Sequence, residues 1–172
     1  MRKLLASILV LLLSLFLLTP LSLAKENVAV QEVSSFELFW PVSAGKTLGD
    51  SLYGLKALKE KIRGVLIFGK MQKVDYSLFL ATKRVVETEK LLNDGKADLA
   101  KKTLDKMAAF LETAELNTSI PQELKGKVET DEINKKLDNL EVFLKWLATK
   151  NDQVKDQLIS LLDKVEQINR KI

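Results

Sequence analysis

From residue 50 to the C-terminus, apolar positions recur at alternating intervals of three and four, the spacing that lines one face of an α-helix. The first series is Leu55, Leu58, Ile62 and Leu66. Asp50 follows Gly49 just upstream, where a carboxylate can accept from the free amides of a first helical turn, so it is expected to act as the N-cap. A second series, Met71, Val74, Leu78, Ala81, Val85, Thr88 and Leu92, is widened by Tyr76, Phe79 and Leu80 and predicts another helix, joined to the first near Gly69. Asn93-Asp94-Gly95 then marks a turn, with glycine supplying a left-handed position.

The third series carries Ala97, Ala100, Leu104, Met107, Leu111 and Ala114, whose small residues allow close approach to the helix before it. Asn117 to Ile120 reads as a loop and Pro121 as the opening of the next helical stretch, weak through Leu124 and Val128 and interrupted near Gly126 to Thr130. The pattern strengthens at Ile133, Leu137, Leu140, Leu144 and Leu147, with Val142, Phe143 and Trp146 beside them. After Asn151-Asp152 a last helix is expected on Val154, Leu158, Leu161, Val165 and Ile168. The expected fold is therefore all-α, an antiparallel helical bundle of four to five helices with short connections. A tetratricopeptide-like array is the nearby alternative, but no 34-residue repeat is visible.

Upstream, the pattern changes in kind. Residues 1–24 have a basic start at Arg2 and Lys3, an apolar core from Leu4 to Leu18, a break at Thr19-Pro20, and Ser22-Leu23-Ala24 before Lys25, the organisation of a secretory signal peptide. The apolar core falls short of the ~20 residues that span a bilayer, although an uncleaved anchor is the alternative. Residues 25–46 read as an extended arm and linker in which Phe36, Phe39 and Trp40 form an apolar plug that closes the core, or else a patch that docks a partner or a membrane surface. Residues 47–172 make the helical domain.

The run Gly49-Asp50-Ser51-Leu52-Tyr53, then Leu55-Lys56 and Glu60, followed by Leu80-Ala81-Thr82-Lys83-Arg84 with Glu87 and Leu91-Leu92, resembles an uncharacterised bacterial family, domain of unknown function DUF5667. The likeness is read over about residues 44–107, with a C-terminal helical hairpin at about 121–172 beyond it. Leu48 and Ser51 stand where the family prefers prolines, which softens the helix start. The family brings no established activity, cofactor or catalytic residue, and its extracytoplasmic character matches the signal segment.

Composition narrows the chemistry further. The chain has 172 residues with no histidine and no cysteine, which removes the usual general base, thiol chemistry, disulfides and nearly all zinc, copper and haem sites. A di-iron bundle would need Glu-x-x-His pairs, so no metal and no cofactor are expected. Asp131, Glu132, Asp138 and Glu141 lie at helical spacing with Lys135 and Lys136 between them, a solvated charged face more than a calcium loop. Nothing singles out a carboxylate pair such as Glu87 and Glu112 for glycoside hydrolysis. The formal charge is +4, and Lys and Glu alternate along the helices, which does not suit nucleic acid.

Arg84 stands out among the charges. It can pair with Glu87 three residues on, or reach an acidic group on a neighbouring helix and fix register. Asp50, Tyr53, Arg84, Glu87, Phe36, Phe39 and Trp40 are the structural or interaction candidates. The reading that results is a non-catalytic extracytoplasmic helical protein that binds an envelope protein or polymer, meeting the membrane only through an uncleaved N-terminal segment. A membrane-tethered regulator using that anchor is the alternative.

Overall fold

The computed structural model describes residues 32–118 and 127–172, and the side chains of the second stretch from residue 130. The signal segment, the first part of the arm, the loop expected at Asn117 to Ile120 beyond its second residue, and Pro121, Leu124 and Gly126 lie outside these. The fold is all-helical, with no strand among the described residues. Its helices are α1 (Ser35–Phe39), α2 (Tyr53–Val65), α3 (Lys70–Asn93), α4 (Ala97–Asn117), α5 (Lys127–Lys150) and α6 (Lys155–Asn169), with a 3-10 turn at Asp152–Val154 leading into the last.

Two hairpins form the body of the fold. In the first, α3 turns into α4 at Gly95, whose φ of 72° is the left-handed conformation that glycine adopts without a Cβ penalty. Lys96 N donates to Leu91 O at 2.8 Å and Gly95 N to Leu92 O at 3.0 Å, closing the last carbonyls of α3. In the second hairpin, α5 turns into α6 at Asn151, whose side-chain amide donates to Leu147 O at 3.0 Å. The stripes expected from the sequence interdigitate between the hairpins: Val74, Leu78, Ala81 and Val85 from α3, Leu104, Met107 and Leu111 from α4, Leu137, Leu140 and Leu144 from α5, and Leu158, Leu161 and Val165 from α6. Val142 is the exception on its stripe and stays half exposed.

Neighbours are antiparallel within each hairpin. Across the hairpins, α4 and α6 run in the same direction, since Gln157 reaches Asp105 while Lys171 reaches Glu115. The interruption expected near Gly126 to Thr130 does not extend into 127–130, which already belong to α5.

The arm also differs from its expected extended form. Residues 35–39 are a single helical turn, because the Ser34 hydroxyl accepts from Glu37 N at 3.3 Å and supplies a cap. Asn139 on α5 donates to Leu38 O at 2.9 Å and fastens the turn to the bundle. The three aromatics then part company. Phe39 is 6% exposed and meets Phe143 edge to face at 5.3 Å, whereas Phe36 and Trp40 are 63% and 69% exposed and lie edge-on to each other at 4.8 Å. The plug is therefore Phe39 alone.

Candidate functional site

The structure departs most from an ordinary bundle at α2. Its apolar residues do not enter the core: Leu55, Leu58, Ile62, Val65 and Leu66 are exposed, and Phe68 just beyond the helix is 84% exposed. Facing the body instead are Tyr53, Lys56, Glu60 and Gly64, which recur at three, four and four residues and so share the opposite side of the same helix. An amphipathic helix has been laid down with its polar side inward.

Buried charge on α3 makes this possible. Arg84 is 1% and Glu87 0% exposed, and leaving either alone in the interior would cost several kcal/mol (about 3–5), so α2 supplies their partners. Arg84 donates to Tyr53 Oη at 2.5 Å and to Glu60 Oε2 at 2.6 Å, and its guanidinium also stands 3.0 Å from Glu87 Oε2. Both pairings anticipated for Arg84, along its own helix and across to a neighbour, occur together. Its plane is flanked by the rings of Tyr53 and of Phe110 on α4, at 5.7 and 5.9 Å, which brings a third helix to the cluster.

Lys56 completes the set from the other end. Its ammonium donates to Glu87 Oε1, to Ala44 O at 3.0 Å and to Lys46 O at 2.5 Å, so the linker before α2 is anchored by the same residue. Lys83 donates to Glu60 Oε1 at 2.7 Å, and Tyr76 Oη donates to Glu60 O at 3.0 Å. Burial pushes the Glu87 carboxyl above its ordinary range, while the hydrogen bond from Lys56 and the charges of Arg84 and Lys56 pull it back. Burial likewise lowers Lys56 and raises Tyr53, with their charged partners opposing part of each change. Every charged group of the cluster has an opposite charge against it. The arrangement holds α2 in place, although Arg84 Nε and Glu87 Oε2 have no hydrogen-bond partner among the described residues, and Tyr53, Glu60 and Arg84 line a cleft of about 520 Å³ with Tyr76 and Phe110.

Asp50 is placed differently from the expected cap. The helix begins three residues later, at Tyr53, with Leu52 in the cap position and no side chain bonding the first turn. The Asp50 carboxylate turns back and accepts from Thr47 N at 2.6 Å and Thr47 Oγ1 at 3.3 Å, which holds its carboxyl below the usual range. Thr47 is buried, and its amide has the prior claim on an acceptor because it is shut away from water. Asp50 thus closes the Thr47–Asp50 turn, in which Gly49 has a φ of 99° and packs so tightly that a Cβ would come within 2.9 Å of Leu99 Cδ1.

Two open surfaces accompany the cluster. One is the outer ridge of α2, where Leu55, Leu58, Ile62 and Leu66 line a shallow apolar depression of about 360 Å³ with Lys59 and Arg63 at its edge. The other is a groove of about 780 Å³ beside the arm, bounded by Trp40, Phe79, Lys83, Lys135 and Lys136 among others. Glu132 lines the same groove, and Asp131, Glu132, Asp138 and Glu141 converge on no metal-sized group among the described residues. No described helix is long and apolar enough to cross a membrane.

The fold and cluster define an all-α domain whose two hairpins carry an outlying helix on a buried ionic core. The sequence model of the domain of unknown function DUF5667 matches residues 45–171, and the chain belongs to that family. The match runs on through the C-terminal hairpin, well past the stretch to residue 107 on which the resemblance was read, so both hairpins belong to the family domain. No curated protein matches the chain, and no solved structure does.

Proposed function

We propose that the protein is a non-catalytic, extracytoplasmic module that associates with the cell envelope through its helical surface. The observation that carries this reading is the outward apolar face of α2: monomeric domains seldom leave a contiguous row of large apolar side chains in water unless something covers it. The ionic cluster supports the same role, because its charges are spent on one another and on holding α2 with that face outward. The signal-like segment, which ends in Ser22-Leu23-Ala24, supports delivery across the membrane with cleavage after Ala24.

The test is fractionation of native cells expressing Leu55→Gln/Ile62→Gln. Both positions are exposed, so the variant should keep the parent's melting temperature while its envelope-bound share falls. An unchanged distribution would count against α2 as the contact surface. Mass measurement of the recovered protein reads the N-terminus in the same experiment: a chain beginning at Lys25 is expected, and a chain retaining Met1 would favour the tethered alternative.

A further inference from the structure

Viewed down its axis, α2 has its apolar arc on Leu55, Leu58, Ile62, Val65 and Leu66, with Lys59 and Arg63 along one edge and Lys61 along the other. All three cations are exposed, and none forms an ion pair among the described residues. The one acidic residue of the helix, Glu60, points the opposite way and is held by Arg84 and Lys83. The outward half of α2 is therefore apolar in the middle, cationic at both margins and free of negative charge. Beyond it, Leu66, Ile67 and Phe68 continue the apolar surface to Lys70, which is again exposed.

From this arrangement we infer that α2 docks on an anionic lipid surface, lying in the plane of the interface with Leu55, Leu58, Ile62 and Phe68 among the acyl chains and Lys59, Lys61 and Arg63 at the headgroups. A helix with a strong apolar face and basic margins has the architecture that such interfacial binding requires. A second copy fits less well, because pairing two such faces would set their cationic margins against each other with no carboxylate between them. The charge pattern asks for a negative partner, and the depression along the ridge is shallow and open, as suits a deformable lipid surface more than a deep pocket. The polar inner face explains why the helix stays helical while its apolar side waits in water: Arg84, Glu87 and Lys56 hold it from behind. This inference rests on the proposed role of α2 as the contact surface.

Because the chain has no cysteine, one can be introduced as a local reporter. The full-length chain carrying Phe68→Cys, labelled with an environment-sensitive nitrobenzoxadiazole dye, is mixed with vesicles of phosphatidylcholine plus phosphatidylglycerol or of phosphatidylcholine alone; Lys150→Cys is the reference site. The dye at 68 should shift to the blue with anionic vesicles, respond far less to neutral ones, and lose its response as salt is raised, while the dye at 150 stays unchanged. Lys59→Gln/Lys61→Gln/Arg63→Gln should weaken the anionic response about a hundredfold, from about fivefold per cation near such a surface. Attachment through residues 1–24 alone would leave the dye at 68 silent, and that outcome overturns the inference. Equal responses at 68 and 150, equal responses to both vesicle types, or a shift that depends on protein concentration without vesicles would overturn it too. If the dye is silent yet a crosslinker at Leu58 captures an envelope protein, lipid docking fails and the proposed function stands; if neither responds, both fall.

Discussion

Replacing Arg84 with methionine should remove about 3 kcal/mol of folding stability. The guanidinium is 1% exposed and bonded to Tyr53 at 2.5 Å and Glu60 at 2.6 Å, with Glu87 at 3.0 Å. Taking one partner from a buried ion pair costs about 3–5 kcal/mol, because the remaining charge stays desolvated. Two features place this case at the lower end. Glu60 keeps Lys83 and Glu87 keeps Lys56, so neither carboxylate is abandoned, and methionine preserves most of the apolar stem between Tyr53 and Phe110. Arg84→Lys should recover little of the loss, since one ammonium cannot span three oxygens that a planar fork reaches together. Urea unfolding followed by circular dichroism reads the effect: for a slope of about 1.5 kcal/mol/M, the midpoint should fall by about 2 M. A fall of less than about 0.3 M, or full recovery with lysine, would refute the claim that this cluster holds the helix.

Three further outcomes follow from the same geometry. Phe39→Ala should cost about 3 kcal/mol, as deletion of a buried aromatic does, whereas Phe36→Ser/Trp40→Ser together should cost less than about 0.5 kcal/mol; thermal unfolding of both variants separates the plug from its exposed neighbours. Gly49→Ala should destabilise by about 1–2 kcal/mol through the left-handed backbone alone, with the approach to Leu99 adding to it, and a denaturation midpoint equal to the parent's would contradict the turn geometry. Asp50 has a folded pKa below its ordinary value of 3.8, so its contribution is present above that pH and is lost as pH falls through the depressed value. The stability difference between the parent and Asp50→Asn, followed by melting temperature against pH, should therefore shrink on acidification below 3.8 and not on moving toward neutrality.

Helices α3 to α6 were legible in the sequence because there the periodic face and the buried face coincide. Val74, Leu78, Ala81 and Val85 can be read as a stripe, and a stripe with a second hairpin to meet goes inward. For α2 the same reading fails. Leu55, Leu58, Ile62 and Leu66 repeat as regularly as any core stripe, but so do Tyr53, Lys56, Glu60 and Gly64 on the other side, and periodicity alone does not say which series turns inward. The deciding information lies a helix away. On α3, Leu80, Ala81, Val85 and Val86 surround Arg84 and Glu87, so the helix is covered on more than one side and its charges must be met by something polar. The chain thus carried a signal, but one that becomes readable only when two helices are considered together. Asp50 failed as a cap for a more local reason: Thr47, three residues back, competes for the same carboxylate, and the amide of a buried turn outranks a helix start that water can reach.

The central claim is that α2 turns its apolar face outward in order to make contact with the envelope. Its most direct test is a photo-crosslinking amino acid at Leu58, irradiated in native envelopes beside a second version placed at exposed Lys150. Adducts with an envelope component should form at Leu58 and not at Lys150. A clean Leu58, or adducts forming at Lys150 as readily as at Leu58, would contradict the account.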